Sequence, residues 1–228
     1  IHRILDLPDE VKARWRPRLK CLVSGAAPFP QPLRERAIEF FGPVLYDFYG
    51  STEVGWVTLA NAEEMLARPH TVGRAIPGSQ ILILGDDGRP LPPGDVGDIC
   101  IVSSQQIDEY YRNEEATRDS RKGDAQVSGD LGWLDEQGYL FLAGRSSDMI
   151  ISGGVNIYPA EIEQVLERHP AVEEAAVVGL PDDAWGERVV AFVVGPQAEA
   201  EADLRAWCRD RLAGFKVPKQ WRYLDALP

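Results

Sequence analysis

The sequence predicts an α/β (α+β) fold built in three successive parts: an α/β layer, a barrel-like antiparallel subdomain and a small carboxyl-terminal α+β domain. Three observations carry this. Strand and helix signals alternate over residues 21–60. Runs rich in β-branched residues, separated by Gly, Pro and Asp turns, fill residues 80–145. From Ser147 onward, hairpin, helix, two strands, helix and strand follow in order.

Cys21-Leu22-Val23 reads as a short buried strand that ends in the turn Ser24-Gly25-Ala26-Ala27-Pro28. Pro32 to Phe41 reads as an amphipathic helix, with Leu33, Ala37, Phe40 and Phe41 on one side and Arg34, Glu35 and Glu39 on the other; Gly42-Pro43 stops it. Val44-Leu45-Tyr46 opens a second strand that runs to Gly50. This strand-helix-strand unit puts two loops at strand carboxyl ends, where open α/β sheets bind ligands.

Ile81 to Leu84 and Asp98 to Val102 read as strands, with turns at Asp86-Asp87-Gly88, Pro92-Pro93-Gly94 and Asp135-Glu136-Gln137-Gly138. Met149 to Ile157 reads as a hairpin. A helix follows from Pro159 to Arg168, with proline in its first turn and His169-Pro170 closing it. Strands at Glu174 to Val178 and Val189 to Val194, a helix at Ala202 to Leu212 and a strand near Trp221 to Leu224 complete a domain of about 80 residues, a viable size for independent folding. Ala198 to Ala202 reads as a solvated loop.

Charge narrows the function classes. Against 24 basic residues stand 36 acidic ones, a net charge of -12. A nucleic-acid or anionic-membrane surface needs a basic patch and is not expected, whereas a nucleotide phosphate can be held by backbone N–H groups and one cation. Cys21, Cys100 and Cys208 are dispersed and odd in number, which argues against a disulfide framework or zinc site and fits a reducing cytoplasm. His2, His70 and His169 read as surface or capping residues. No apolar run is long enough for a transmembrane span. Glu63-Glu64, Glu173-Glu174 and Asp182-Asp183 read as solvated faces or turns, Glu161 and Glu163 as first-turn acids, Tyr139 and Trp133 as core, and Lys216 and Lys219 as surface.

Two clusters carry chemistry. In Tyr49-Gly50-Ser51-Thr52-Glu53 the glycine allows a sharp turn, Thr52 can donate to a phosphate, Glu53 offers a hard oxygen for Mg²⁺ and Tyr49 can stack on a purine. Ser128-Gly129-Asp130-Leu131-Gly132 supplies a carboxylate that can accept both hydroxyls of a ribose. Arg145, fifteen residues later, can share them or reach the phosphate. Ser152-Gly153-Gly154-Val155-Asn156-Ile157-Tyr158-Pro159-Ala160-Glu161-Ile162-Glu163 completes the series.

In these ordered motifs the sequence resembles the acyl-CoA synthetase (fatty acid–CoA ligase) family of the adenylate-forming, AMP-binding superfamily, over nearly the whole chain. The resemblance implies residues 1–145 as the end of the large AMP-binding domain, and 146–228 as a small mobile domain truncated before its last segment. It implies that Gly25, Ala26 and Ala27 run along the adenine, with Asp47 and Tyr49 near the base. Gly50, Ser51 and Thr52 would face the nucleotide, with Thr52 at the α-phosphate and Glu53 holding Mg²⁺. Asp130 and Arg145 would hold the ribose, and Ser152, Gly153 and Gly154 would line the pantetheine tunnel of coenzyme A. Ser147, where Asp or Lys is more usual, would be the hinge. Glu109 and Glu114 replace a usual glycine and proline in a segment that reads as peripheral.

Two family elements, a Ser/Thr/Gly-rich phosphate loop and a Gly-Lys adenylation lysine, match no residue here. With Ile1 in place of Met, they lead us to expect a longer protein. The implied reaction joins a carboxylic acid to ATP as acyl-AMP and then to coenzyme A; the small-molecule substrates are the acid, ATP and CoA, and an oligomer is compatible with this. Ala26-Ala27-Pro28 and Phe48 lead us to expect an apolar, fatty acyl group. The alternatives are an amino-acid or aryl-acid adenylation domain, or a non-catalytic nucleotide-binding module.

Overall fold

The computed structural model describes residues 1–14, 19–27, 29–195 and 201–227, without the side chain of His2. Pro28, most of the loop expected at Ala198 to Ala202, and Pro228 lie outside the described residues. The chain divides into two compact units, Ile1–Leu142 and Ala143–Pro228.

The first unit opens with helices α1 (His2–Leu5) and α2 (Asp9–Arg14). Strand β1 (Leu22–Ser24), helix α3 (Gln31–Phe41) and strand β2 (Leu45–Ser51) then form the expected strand-helix-strand unit, with β1 and β2 parallel. Pro32 sits in the first turn of α3. At its end the Gly42 N–H donates to Ile38 O at 2.8 Å, with Gly42 at φ 83°. Strand β1 is not buried as expected, because its only strand partner among the described residues is β2; Cys21 and Val23 are exposed.

One strip of structure went unread in the sequence. Strand β3 (Gly55–Asn61), helix α4 (Ala62–Ala67) and strand β4 (Thr71–Ala75) follow the Tyr49–Glu53 motif. The signal for α4 is a capping box, Asn61-x-x-Glu64. The Asn61 side chain accepts from Glu64 N and the Glu64 carboxylate from Asn61 N, both at 2.9 Å. Glu64 also accepts from the Tyr139 hydroxyl at 3.0 Å, so this residue, read as a solvated acid, is structural.

Strands β5 (Ser79–Leu84) and β6 (Gly97–Ser103) pair antiparallel in the register Ile81↔Ile101 and Ile83↔Ile99. Helix α5 (Glu114–Asp119) and strand β7 (Arg121–Lys122) lead to β8 (Ala125–Leu134) and β9 (Tyr139–Arg145), joined by the expected turn, with Asp135 N donating to Tyr139 O at 3.0 Å. The strands are antiparallel as expected, but they do not close into a barrel. The order is β1-β2-β3-β4-β9-β8-β6-β5, because β4 pairs both β3 and β9 and carries the ladder on into the α/β layer. Ile81, Ile83, Ile99, Ile101, Val54, Val57 and Leu140 pack one core of this unit; each buried side chain of this kind contributes about 1.5–3 kcal/mol.

The second unit has a short 3₁₀ turn at Ser146–Asp148 and the hairpin β10 (Ile150–Ser152) and β11 (Val155–Ile157). Helix α6 (Pro159–Leu166) ends two residues short of the expected Arg168. Strands β12 (Glu174–Asp182) and β13 (Gly186–Val194) pair over their full length, helix α7 (Glu201–Arg209) follows, and β14 (Gln220–Leu224) lies parallel to β13. Ile150, Ile157, Ile162, Leu166, Val177, Ala191 and Leu204 lie in its core. His169 is buried here, its Nδ1 accepting from Ala171 N at 3.2 Å.

Candidate nucleotide site

Strands β2 and β3 form a hairpin with Ser51 opposite Gly55, and Thr52, Glu53 and Val54 make its turn. Buried Val54 anchors the turn in the apolar core, which leaves Thr52 exposed and Glu53 half-buried at the tip. The ladder shifts register between Tyr49 and Gly50, and a Cβ added at Gly50 would lie 2.0 Å from Gly55 O. The glycine therefore serves the tight crossing of β2 over β3, rather than an approach of backbone to ligand.

The structure joins the two chemistry-bearing clusters. The Tyr49 hydroxyl donates to Asp130 Oδ2 at 2.7 Å across 81 residues of sequence. Asp130 follows Gly129 at φ 79° in β8, and its own N–H donates to Ser128 Oγ at 3.0 Å. A carboxylate oriented in this way suits a vicinal diol. Tyr49, expected to stack on a base, packs against the isoleucine-rich core and commits its hydroxyl to Asp130.

Asp47 is placed differently from expectation. Its carboxylate is buried and accepts from Arg34 Nη2 at 2.6 Å, while Arg34 Nη1 donates to Thr71 O at 2.6 Å. Burial pushes the Asp47 carboxyl up to about 6, against the pull of the Arg34 charge. Arg34, assigned to the solvent face of α3, is instead a core residue because Asp47 receives it across the layer.

Glu53 is the acidic group of the turn. The Ser51 hydroxyl and Glu53's own backbone N–H hold its carboxyl below the usual carboxylate range, and the Tyr110 hydroxyl, 3.1 Å from Oε1, adds to this. Among the described residues there is no cluster of three metal-ligating side chains. One ionised, half-exposed carboxylate fits Mg²⁺, which keeps most of its waters and takes its remaining ligands from phosphate oxygens. Sequence reasoning missed Tyr110. It belongs to the segment that reads as peripheral, and Ile107 N, just before that segment, donates to Glu53 O at 2.8 Å.

Gly25, Ala26 and Ala27 follow β1, Gly25 half-buried and the two alanines exposed, with Ala26 at φ 66°. The Phe48 ring packs against Gly25 and stacks on Trp56, centroids 4.6 Å apart and planes 12° from parallel. Trp56 is 43% exposed, so this pair offers a flat aromatic face one residue from the motif.

In the second unit Arg145 ends β9 and is exposed, as is Ser147, whose Oγ donates to Asp148 Oδ1 at 2.8 Å. Ser152, Gly153 and Gly154 form the tip of the β10–β11 hairpin. Both glycines have positive φ (60° and 81°), the condition for a two-residue primed turn, and Gly153 N–H donates to Trp185 O at 2.7 Å.

Residues 1–111 match the family model for an AMP-binding enzyme, and residues 161–228 match the model for the AMP-binding enzyme C-terminal domain. A 2-succinylbenzoate–CoA ligase of Bacillus cereus is 40% identical over 227 residues, covering 99% of this chain and 47% of the relative. The o-succinylbenzoate CoA synthetase MenE of Bacillus subtilis, solved with its acyl-adenylate intermediate, shares 34% identity at a TM-score of 0.84 over 96% of this chain and 46% of its own. The same enzyme has been solved with ATP and magnesium ion. The amide bond synthetase McbA of Marinactinospora thermotolerans shares 34% identity at a TM-score of 0.88 over 92% of this chain and 44% of its own. The chain thus spans about half the length of the relatives it matches. Among its described residues no helix is long and apolar enough to cross a membrane.

Proposed function

We propose, for a chain that belongs to the AMP-binding enzyme family of adenylate-forming ligases, that it carries the nucleotide-side wall of an enzyme activating a carboxylic acid with ATP and passing the acyl group to coenzyme A. The observation that carries this reading is the Tyr49–Asp130 hydrogen bond, which makes one site of two motifs far apart in sequence.

In the first half-reaction a carboxylate oxygen attacks the α-phosphorus of ATP, forming a P–O bond as pyrophosphate leaves. In the second, the coenzyme A thiolate attacks the acyl carbon and AMP departs with the bonding pair. Asp130, steadied by Tyr49, accepts from the ribose hydroxyls, and Thr52 donates to the α-phosphate. Glu53 holds Mg²⁺, which offsets the negative charge that gathers on the phosphates when bound. Catalysis on this wall is a matter of positioning and electrostatics. Gly25, Ala26 and Ala27 run along the adenine in this reading, with Asp47 near the base behind them. In the second unit, Arg145 is assigned to the nucleotide, Ser147 to the hinge, and Ser152, Gly153 and Gly154 to the pantetheine arm of coenzyme A.

The acid in this reading carries an aryl ring. The fatty-acyl expectation finds no support in the names of the relatives, of which the Bacillus cereus ligase and MenE of Bacillus subtilis are named for a succinylbenzoate. The flat Phe48–Trp56 stack favours a planar group over a flexible chain. A second reading keeps the first half-reaction and replaces the thiol by an amine, as the name of the amide bond synthetase suggests. Incubating the full-length protein with Mg·ATP, aryl or aliphatic acids, and either coenzyme A or an amine, followed by mass spectrometry, distinguishes these outcomes. Thioesters of aryl acids are expected; aliphatic thioesters alone would replace the aryl assignment, and amides alone the thiol acceptor.

A further inference from the structure

The segment from Ile107 to Tyr110 is held against the Glu53 turn by two contacts, one to its backbone and one to its side chain. Ile107 N donates to Glu53 O at 2.8 Å, and the Tyr110 hydroxyl donates to Glu53 Oε1 at 3.1 Å. Backbone and side chain of the same residue are thus both fixed from one strap. The strap is itself braced: Arg121 Nη2 donates to Ile107 O at 2.7 Å and to Asp108 O at 2.9 Å, and Tyr110 N donates to Thr117 Oγ1 at 2.9 Å. Thr117 in turn donates to Asn113 O at 2.8 Å. Such bracing is more than a solvated loop needs.

From this geometry we infer that Tyr110 is a positioning residue, its hydroxyl fixing the Glu53 carboxylate in the one orientation that receives the divalent cation of the nucleotide complex. The inference rests on the reading of Glu53 as the cation's carboxylate and goes beyond it by naming what orients that group. A carboxylate at a hairpin tip has two free side-chain torsions before its plane is set. Beside the Ser51 hydroxyl and Glu53's own backbone N–H, a phenol on a braced strap narrows that freedom with a charge-assisted hydrogen bond at Oε1, without adding charge. Partners of this kind set ligand orientation, and losing one lowers metal affinity by roughly 10- to 100-fold. Phenylalanine keeps the ring and its packing and deletes only the donor, which makes Tyr110→Phe the informative change.

The test uses the full-length protein and Mn²⁺ as the probe. Paramagnetic resonance measures Mn²⁺ bound in the presence of a non-hydrolysable ATP analogue, and calorimetry measures AMP binding in chelator. Tyr110→Phe is expected to weaken Mn²⁺ retention by about 10-fold and leave metal-free AMP binding unchanged. In Mg²⁺ titrations of turnover, the rise is expected in the half-saturating Mg²⁺ concentration rather than in kcat. Glu53→Gln is the control for the underlying reading. If Glu53→Gln weakens Mn²⁺ retention and Tyr110→Phe does not, the positioning role is overturned and the Glu53 assignment stands. Were Glu53→Gln to leave Mn²⁺ retention intact, the Glu53 assignment itself would fall, and the strap's role with it. Equal loss of AMP and Mn²⁺ binding in Tyr110→Phe would make the tyrosine a fold-holding residue and overturn the inference.

Discussion

The Tyr49 hydroxyl donates to Asp130 Oδ2 at 2.7 Å and so ties strand β2 to strand β8 at the point where both present their motif residues. Asp130→Ala in the full-length protein is expected to raise the KM for ATP by more than about 10-fold, with the fold retained, since a charged acceptor for two hydroxyls is lost. Tyr49→Phe, which leaves the carboxylate and removes only its anchor, is expected to raise it by about 3- to 10-fold. ATP titrations with circular dichroism on each variant check both; unchanged kinetics in Asp130→Ala would place the ribose elsewhere.

The Arg34–Asp47 pair makes a prediction about stability. Both side chains are about 5% exposed, so removing one partner strands a buried charge. Arg34→Met or Asp47→Leu alone is expected to cost about 3–5 kcal/mol, and the double variant markedly less than the sum. Urea unfolding of the four proteins closes the cycle. Strictly additive losses would mean that the two groups do not interact.

Much of this architecture is legible in the sequence because it is local. Gly153-Gly154 between two short β-branched runs specifies a hairpin, Asp135 to Gly138 specifies another, and Pro159 marks the first turn of α6. Apart from α4, what was missed at the site is long-range. A helical periodicity assigns Arg34 to solvent, because nothing within α3 announces that Asp47 waits on β2. The Tyr110–Glu53 contact joins residues 57 apart, and the departures Glu109 and Glu114 draw attention away from Tyr110, the first of two tyrosines between them. The capping box at Asn61 was readable, and with it α4.

Glu167 gives the pH dependence. Burial first, then the charges of Glu163 and Glu174, push its carboxyl up to about 7 from the ordinary 4.5. A carboxyl raised on folding binds its proton more tightly in the native state. The stability it contributes is therefore present when it is protonated, and is lost as pH rises from about 4.5 to about 7. Glu167→Gln is expected to stabilise the protein near pH 8 by about 1–2 kcal/mol, allowing for solvent screening, and to have no effect near pH 4. Thermal unfolding of parent and variant across this range reads the difference. A gain that is constant with pH would detach it from this titration.

The Phe48–Trp56 stack predicts selectivity. Trp56→Ala is expected to lower kcat/KM for aryl acids by about 10- to 100-fold relative to aliphatic ones, the discrimination an apolar wall can supply. Parallel assays with benzoate-type and straight-chain acids measure the ratio. An unaltered ratio would remove this wall from the acyl site.

The central claim is acid activation by ATP on the wall that Tyr49, Thr52, Glu53 and Asp130 form. ATP–pyrophosphate exchange by the full-length protein, with Mg²⁺ present and a panel of carboxylic acids, tests it most directly. Exchange that requires an acid, is strongest with aryl acids and collapses in Asp130→Ala is the predicted result. Absence of exchange with every acid, from a folded protein that binds AMP, would contradict the account and leave a nucleotide-binding module in its place.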